Sequence, residues 1–121
     1  MLDFNQALKY EGRLLLDPNG NLVGDPDWSE EQALKLAREL GVSLSPEHWE
    51  VLWYVRDHYR QCGLPSSGTS LLRCMEDHFV ARGGGKYLYR LFPGGPVSQA
   101  TRIAGLAPPP YSRDPSFGTV E

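Results

Sequence analysis

The chain has 121 residues, 40% hydrophobic and 22% charged, with a formal net charge of −3, which suits one domain with a single core and not two well-stabilised ones. No apolar run approaches the roughly 20 residues that a membrane helix needs, and the opening MLDFNQALKY lacks the basic-then-apolar layout of a secretion signal. Two cysteines, Cys62 and Cys74, without a CxxC partner or a histidine at ligand spacing, argue against a disulfide framework and a zinc site, so the expectation is a cytoplasmic protein with no metal and no cofactor.

The charge is uneven along the chain. Residues 1–55 carry ten acids and four bases, whereas residues 56–121 carry five acids and eight bases. A mildly cationic C-terminal half suits an acidic partner or RNA, and equally an ordinary solvated surface.

Taken in order, YEGRLLLDPNGNLVG places DPNG between two short apolar runs, and Pro18, Asn19 and Gly20 supply the backbone angles of a tight turn. This predicts a β-hairpin from about Arg13 to Val23. DPDWSEEQALKLARELG follows as an amphipathic helix, capped by Asp27 or Ser29 and stopped at Gly41, with Ala33, Leu36, Ala37 and Leu40 on one face.

LSPEHWEVLWYVRDHYRQCG has the strongest helix start in the chain: Ser45 as cap, Pro46 at the first helical position and Glu47 favouring the positive end. Trp49, Leu52, Trp53, Arg56 and Tyr59 form its stripe, with Val51 and Val55 beside it. An aromatic stripe of this kind reads as core. His48 and His58 read as surface or capping histidines, and Gly63 ends the helix.

TSLLRCMEDHFVARGGG predicts a further helix, capped by Thr69 or Ser67, with Leu71, Leu72, Met75 and Phe79 apolar and Cys74 a buried, inert thiol. Two helices across a short glycine-containing turn also allow a helix-turn-helix DNA-binding reading, with Arg73 and Arg82 opposed by Glu76 and Asp77. GGGK lacks the spacing and the Ser/Thr of a phosphate-binding loop. A short helix Lys86 to Leu91, burying Tyr87, Leu88, Leu91 and Phe92 in varying degree, and a last one from Pro96 to Gly105 complete the body. Beyond it, three prolines favour extended backbone that projects or lies along the surface.

LSPEHWEVLWYVRDHY, KYLYRLFPGGPVSQATRIAGL and the tryptophan before the first helix resemble the DsrC/TusE family of sulfur-relay proteins, from Tyr10 to Leu106. The resemblance implies an α+β, mostly helical fold: a small N-terminal β-hairpin or meander packed on about five helices (residues 1–106), with an extended C-terminal arm (107–121). It further implies a carrier role, in which a cysteine near the end of the arm, in a GLPKPxxC-like context, takes up persulfide sulfur and passes it on, toward tRNA thiolation or into sulfite reductase. DsrC-like members hold a second cysteine in the preceding helix.

Against that pattern, Ser112 stands at the arm-cysteine position and Thr101 at the second one. A hydroxyl has neither the nucleophilicity nor the sulfur of a persulfide carrier. The arm also reads APPPYSR and continues past Ser112. The resulting expectation is a partner-binding protein that docks on sulfur-relay proteins or sulfite reductase subunits without carrying sulfur and without catalytic residues, through Lys86, Tyr87, Tyr89, Arg90 and Arg102. Two alternatives stand beside it: a sulfurtransferase acting through another thiol, with Cys62 the candidate, and the DNA-binding regulator.

Overall fold

The structure is a computed structural model, and it describes residues 14–110. Among these residues five α-helices and one 3-10 turn follow one another: α1 Glu30–Glu39, α2 Pro46–Cys62, α3 Gly68–His78, the 3-10 turn Val80–Arg82, α4 Gly85–Leu91 and α5 Pro96–Ile103.

The helix starts are built by local chemistry. The Ser29, Ser45 and Ser67 hydroxyls accept from the backbone N–H groups of Gln32, His48 and Ser70, each satisfying a donor that the first turn leaves without a partner. Of the caps expected from sequence, Ser29 and Ser67 are used; Thr69 lies inside α3.

No strand occurs among the described residues; an isolated antiparallel bridge pairs Leu16 with Leu22 around the turn, and another pairs Gly24 with Leu106. The expected hairpin is represented there by this turn alone, with its Arg13 end outside the described residues. Asp17 holds the turn, accepting from the N–H groups of Asn19 and Asn21. Those bonds keep its carboxyl below the ordinary value of 3.8, the Asn21 backbone bond acting most strongly.

The core runs through α2 and α5. Val51, Leu52, Val55 and Tyr59 on α2 are fully enclosed, and Leu71 and Met75 on α3 and Leu88 on α4 meet them. Each such side chain contributes about 1.5–3 kcal/mol by leaving water. Trp49 and Trp53, expected in the buried stripe, are only partly covered and stack on one another at 5.9 Å.

Helix α5 is the hub, packing against α1, α2, α3 and α4. Seven of its eight residues are buried: Pro96, Val97, Ser98, Gln99, Ala100, Thr101 and Ile103. Small side chains at Ser98, Ala100 and Thr101 let neighbouring backbones approach on several sides, as a longer side chain would not. No described helix is long and apolar enough to cross a membrane.

Three expectations need correction. His48 fills the capping role of its reading, accepting from the Ser45 N–H, but it is buried and not at the surface, because it links two helices. Cys74 is half-buried where full burial was expected. Arg82 lies outside α3, in the 3-10 turn, and its guanidinium is engaged by Glu50 at 2.7 Å, so it is not presented by the second helix of a DNA-reading pair.

Candidate functional site

Helices α4 and α5 and the segment that leaves them form the candidate site. Gly84, at φ 60, turns the chain into α4. Residues three and four apart share a helix face, so Lys86, Tyr89 and Arg90 stand together on the exposed face of α4. Tyr89 is 42% exposed.

Tyr87, proposed from sequence as a surface anchor, points the other way and is 2% exposed. Its hydroxyl accepts from Arg82 Nη1 at 3.1 Å, and the Arg82 and Arg90 guanidinia lie 5.9 and 5.7 Å from its ring centroid. The ring therefore supports the cationic face from behind, within the range where a cation is drawn to an aromatic face. Arg82 in turn holds Glu50 ionised: its hydrogen bond keeps that carboxyl below the ordinary 4.5.

Between the two helices, the Gly94 N–H donates to Gln99 Oε1. A β-carbon at Gly94 would come within 2.3 Å of Gln99 Nε2, so a larger residue there would displace that amide. His48 secures the end of α4. Its Nδ1 accepts from the Ser45 N–H at 3.1 Å, which leaves Nε2 to donate to the Leu91 carbonyl at 2.8 Å, and its ring meets Phe92 edge-on at 5.1 Å.

Thr101, at the position where the resemblance puts a second cysteine, is 1% exposed. Its hydroxyl donates to the Val97 carbonyl at 2.7 Å and so is tied into α5. Arg102 is the exposed residue of α5.

The exit of the chain from α5 is fastened at successive points. Trp28 Nε1 donates to the Ile103 carbonyl at 2.8 Å, and Arg56 Nη1 donates to that of Ala104. Both satisfy carbonyls that the end of a helix leaves open. Gly105, at φ +71, turns beneath the Trp28 ring, and its carbonyl accepts from the Asp25 N–H. Ala107 donates to the Val23 carbonyl and accepts from the Tyr59 hydroxyl at 2.7 Å. Burial raises the Tyr59 phenol well above its ordinary 10.0, so it stays a donor. Finally, the Gly68 N–H at the start of α3 donates to the Pro110 carbonyl at 3.0 Å.

Cys62 ends α2 and is exposed. It follows Tyr59 by about one helical turn. Burial lowers His58, also on α2, below its ordinary 6.5, and its ring lies 5.9 Å from that of Tyr54. Among the described residues, no three His, Cys, Asp or Glu side chains group as a metal site. Ser112 lies outside the described residues.

Sequence reasoning did not assign roles to Trp28, Arg56 and Tyr59 at this exit. The available signal was an arginine inside an otherwise apolar stripe: a buried guanidinium needs acceptors, and the open carbonyls of a helix end provide them.

A family model described as "DsrC like protein" matches residues 10–111. Among curated relatives, the "Sulfurtransferase TusE" proteins of Shigella dysenteriae and Escherichia coli are each 44% identical over 104 residues, covering 84% of this chain and 95% of theirs. That of Yersinia pestis is 41% identical over the same length. Among solved structures, the NMR structure of Allochromatium vinosum DsrC matches with a TM-score of 0.61 at 33% identity, covering 78% of this chain and 85% of that one. The oxidized gamma-subunit of the dissimilatory sulfite reductase (DsrC) from Archaeoglobus fulgidus gives 0.58 at 34%, covering 82% and 90%.

Proposed function

The chain belongs to the DsrC-like family, and from that premise we propose that it works in sulfur relay as a partner-binding member that does not itself carry sulfur on its arm. The observation that carries this reading is a separation of docking surface from chemistry. The helices of the family block are intact, with Lys86, Tyr89, Arg90 and Arg102 exposed on α4 and α5, while the resemblance puts Ser112, not a cysteine, at the carrier position.

A serine in place of a thiol removes the reaction at its first step. Persulfide transfer needs a thiolate to attack the outer sulfur of the donor persulfide, so that a new S–S bond forms on the carrier as the donor's S–S bond breaks and its thiol leaves. A hydroxyl at position 112 offers neither. The exposed cations and Tyr89 remain the residue types that anchor interfaces, with Arg and Tyr the strongest. The relevant partners are cytoplasmic sulfur-relay proteins or sulfite reductase subunits.

The test is co-purification and titration calorimetry with the sulfur-relay proteins encoded in the same cell. Binding that survives Ser112→Ala and is weakened at least tenfold by Arg90→Glu with Arg102→Glu is expected. Failure to bind any such partner overturns the reading. Incubation with a persulfide donor followed by peptide mass spectrometry separates the carrier alternative: a stable added sulfur on Cys62 would make this protein a carrier by a different thiol.

A further inference from the structure

The turn that joins Leu16 to Leu22 contains Asn19 and Asn21, and their side chains are held differently. We propose that Asn19 is a modification site, where the side-chain amide is lost spontaneously to give aspartate and isoaspartate, and that Asp17 guards it. The proposal stands on these residues and is independent of the sulfur-relay reading.

The reaction is intramolecular. The Gly20 backbone nitrogen gives its proton to solvent base and attacks Asn19 Cγ. The new C–N bond closes a cyclic imide as the bond from Cγ to the side-chain nitrogen breaks, and that nitrogen takes up a proton and leaves as ammonia. Water then opens the imide. Cleavage at Cγ leaves aspartate in the ordinary linkage, and cleavage at the main-chain carbonyl leaves the chain running through the side chain, as isoaspartate. Water is the one reagent consumed.

Access favours Asn19. Asn19 and Gly20 are both exposed, and a β-carbon at Gly20 would meet nothing within 4 Å. Glycine also has the backbone freedom that ring closure demands. The Asn21 side-chain amide is tethered to Asp17 Oδ2 at 3.1 Å, whereas that of Asn19 has no hydrogen-bond partner among the described residues. Asn21 is followed by Leu22, whose branched side chain crowds the same approach.

The attacking nitrogen is the guarded atom. The Gly20 N–H donates to the Asp17 carbonyl at 3.0 Å, and the Asp17 carboxylate accepts from the Asn19 and Asn21 N–H groups at 2.9 and 2.7 Å. Attack on Cγ requires the Gly20 nitrogen to leave its bond and lose its proton, so the turn opens first. Isoaspartate adds a main-chain carbon between Leu16 and Leu22 and shifts the pairing of those two residues. Asp17 lies 3.4 Å from where a β-carbon at Gly63 would stand, so the change reaches the seat of the turn on the end of α2.

The full chain is held in mildly alkaline buffer, digested and read by peptide mass spectrometry, with an isoaspartyl methyltransferase counting the isoaspartate. Asn19 is expected to lose its amide well before Asn21, with isoaspartate among the products. In Asp17→Ala the loss at Asn19 is expected to run about tenfold faster than in the parent, in line with the loss of one hydrogen bond. Asp17→Asn, which keeps an acceptor oxygen for both N–H groups, is expected to stay near the parent. The parent in denaturing urea gives an independent comparison, and its Asn19 is also expected to react about tenfold faster than in the folded chain. Loss at Asn21 as fast as at Asn19, or no loss at Asn19 even in urea, overturns the site. Equal Asn19 rates in the folded and denatured parent, or in the parent and a folded Asp17→Ala, overturn the guarding role of Asp17.

Discussion

The Arg56 guanidinium lies 3.9 Å from the centroid of the Trp28 ring, and the two side chains donate to the successive carbonyls of Ala104 and Ile103. One stacked pair therefore closes the end of α5. Arg56 is 2% exposed, so its substitution removes stacking and packing and leaves a buried carbonyl without its donor. Arg56→Ala is expected to cost about 3 kcal/mol in urea unfolding. Arg38→Ala, at an exposed position on α1, is expected to stay within about 0.5 kcal/mol of the parent.

Gly105 and Gly20 separate two effects of adding a methyl group. Both have positive φ, 71° and 86°. A β-carbon at Gly105 would lie 2.4 Å from Trp28 Cδ1, whereas at Gly20 nothing comes within 4 Å. Gly20→Ala is expected to cost about 1–2 kcal/mol from backbone strain alone. Gly105→Ala adds displacement of a buried indole and is expected to exceed 3 kcal/mol. Equal losses in thermal unfolding would show that the Trp28 contact does not matter.

Tyr59 gives a pH dependence with a defined sign. Its phenol is raised above 10.0 by burial, so the unfolded chain ionises first as pH rises. Stability is then fully present below pH 10 and falls above it. Tyr54, raised chiefly by burial as well, acts in the same direction. Denaturant midpoints at pH 8 and about pH 10.5 are expected to differ less in Tyr59→Phe than in the parent.

Glu50 has the opposite sign. Its carboxyl is lowered below 4.5 by the Arg82 hydrogen bond, and the stability this brings is present above 4.5 and lost as pH falls through the lower folded value. In Arg82→Gln, carbon-detected NMR titration is expected to show the Glu50 carboxyl moving upward. An unchanged titration would mean that the pair does not persist in solution.

His48 is expected in its Nε2–H form, because a carbonyl oxygen only accepts and the Ser45 N–H already donates to Nδ1. Long-range ¹⁵N NMR correlations report this directly. His48→Ala loses the cap and the link to α4 together and is expected to cost about 2 kcal/mol.

Helix ends were largely legible in the sequence because they depend on neighbours. Ser29, Ser45 and Ser67 with Gly63 act over three or four residues, and such chemistry reads from a short stretch. Burial on short helices was less so. Tyr87 and Tyr89 are two apart on α4 and face roughly opposite ways; which one is core depends on where α2 and the 3-10 turn lie. His48 was legible as a cap, since it stands at the third position of the helix after Ser45. Its burial was not, because Leu91, its second partner, is 43 positions away. The exit clamp was hidden for the same reason: Trp28 and Ile103 are 75 positions apart. From the exposed α4 face, Lys86, Tyr89 and Arg90 were picked from the resemblance, and only coordinates separate them from Tyr87.

The position of α5 also has a meaning for how the chain acquires its structure. Among the described helices α5 comes last in the chain, yet it packs against all four others, so the core they share is completed only when α5 docks. Until then the apolar faces that α1 to α4 turn toward α5 have no cover, and contacts this far apart in sequence are the slow ones to form. Substitutions that slow the arrival or docking of α5 should therefore lower the yield of native protein in the cell more than they lower its stability once folded.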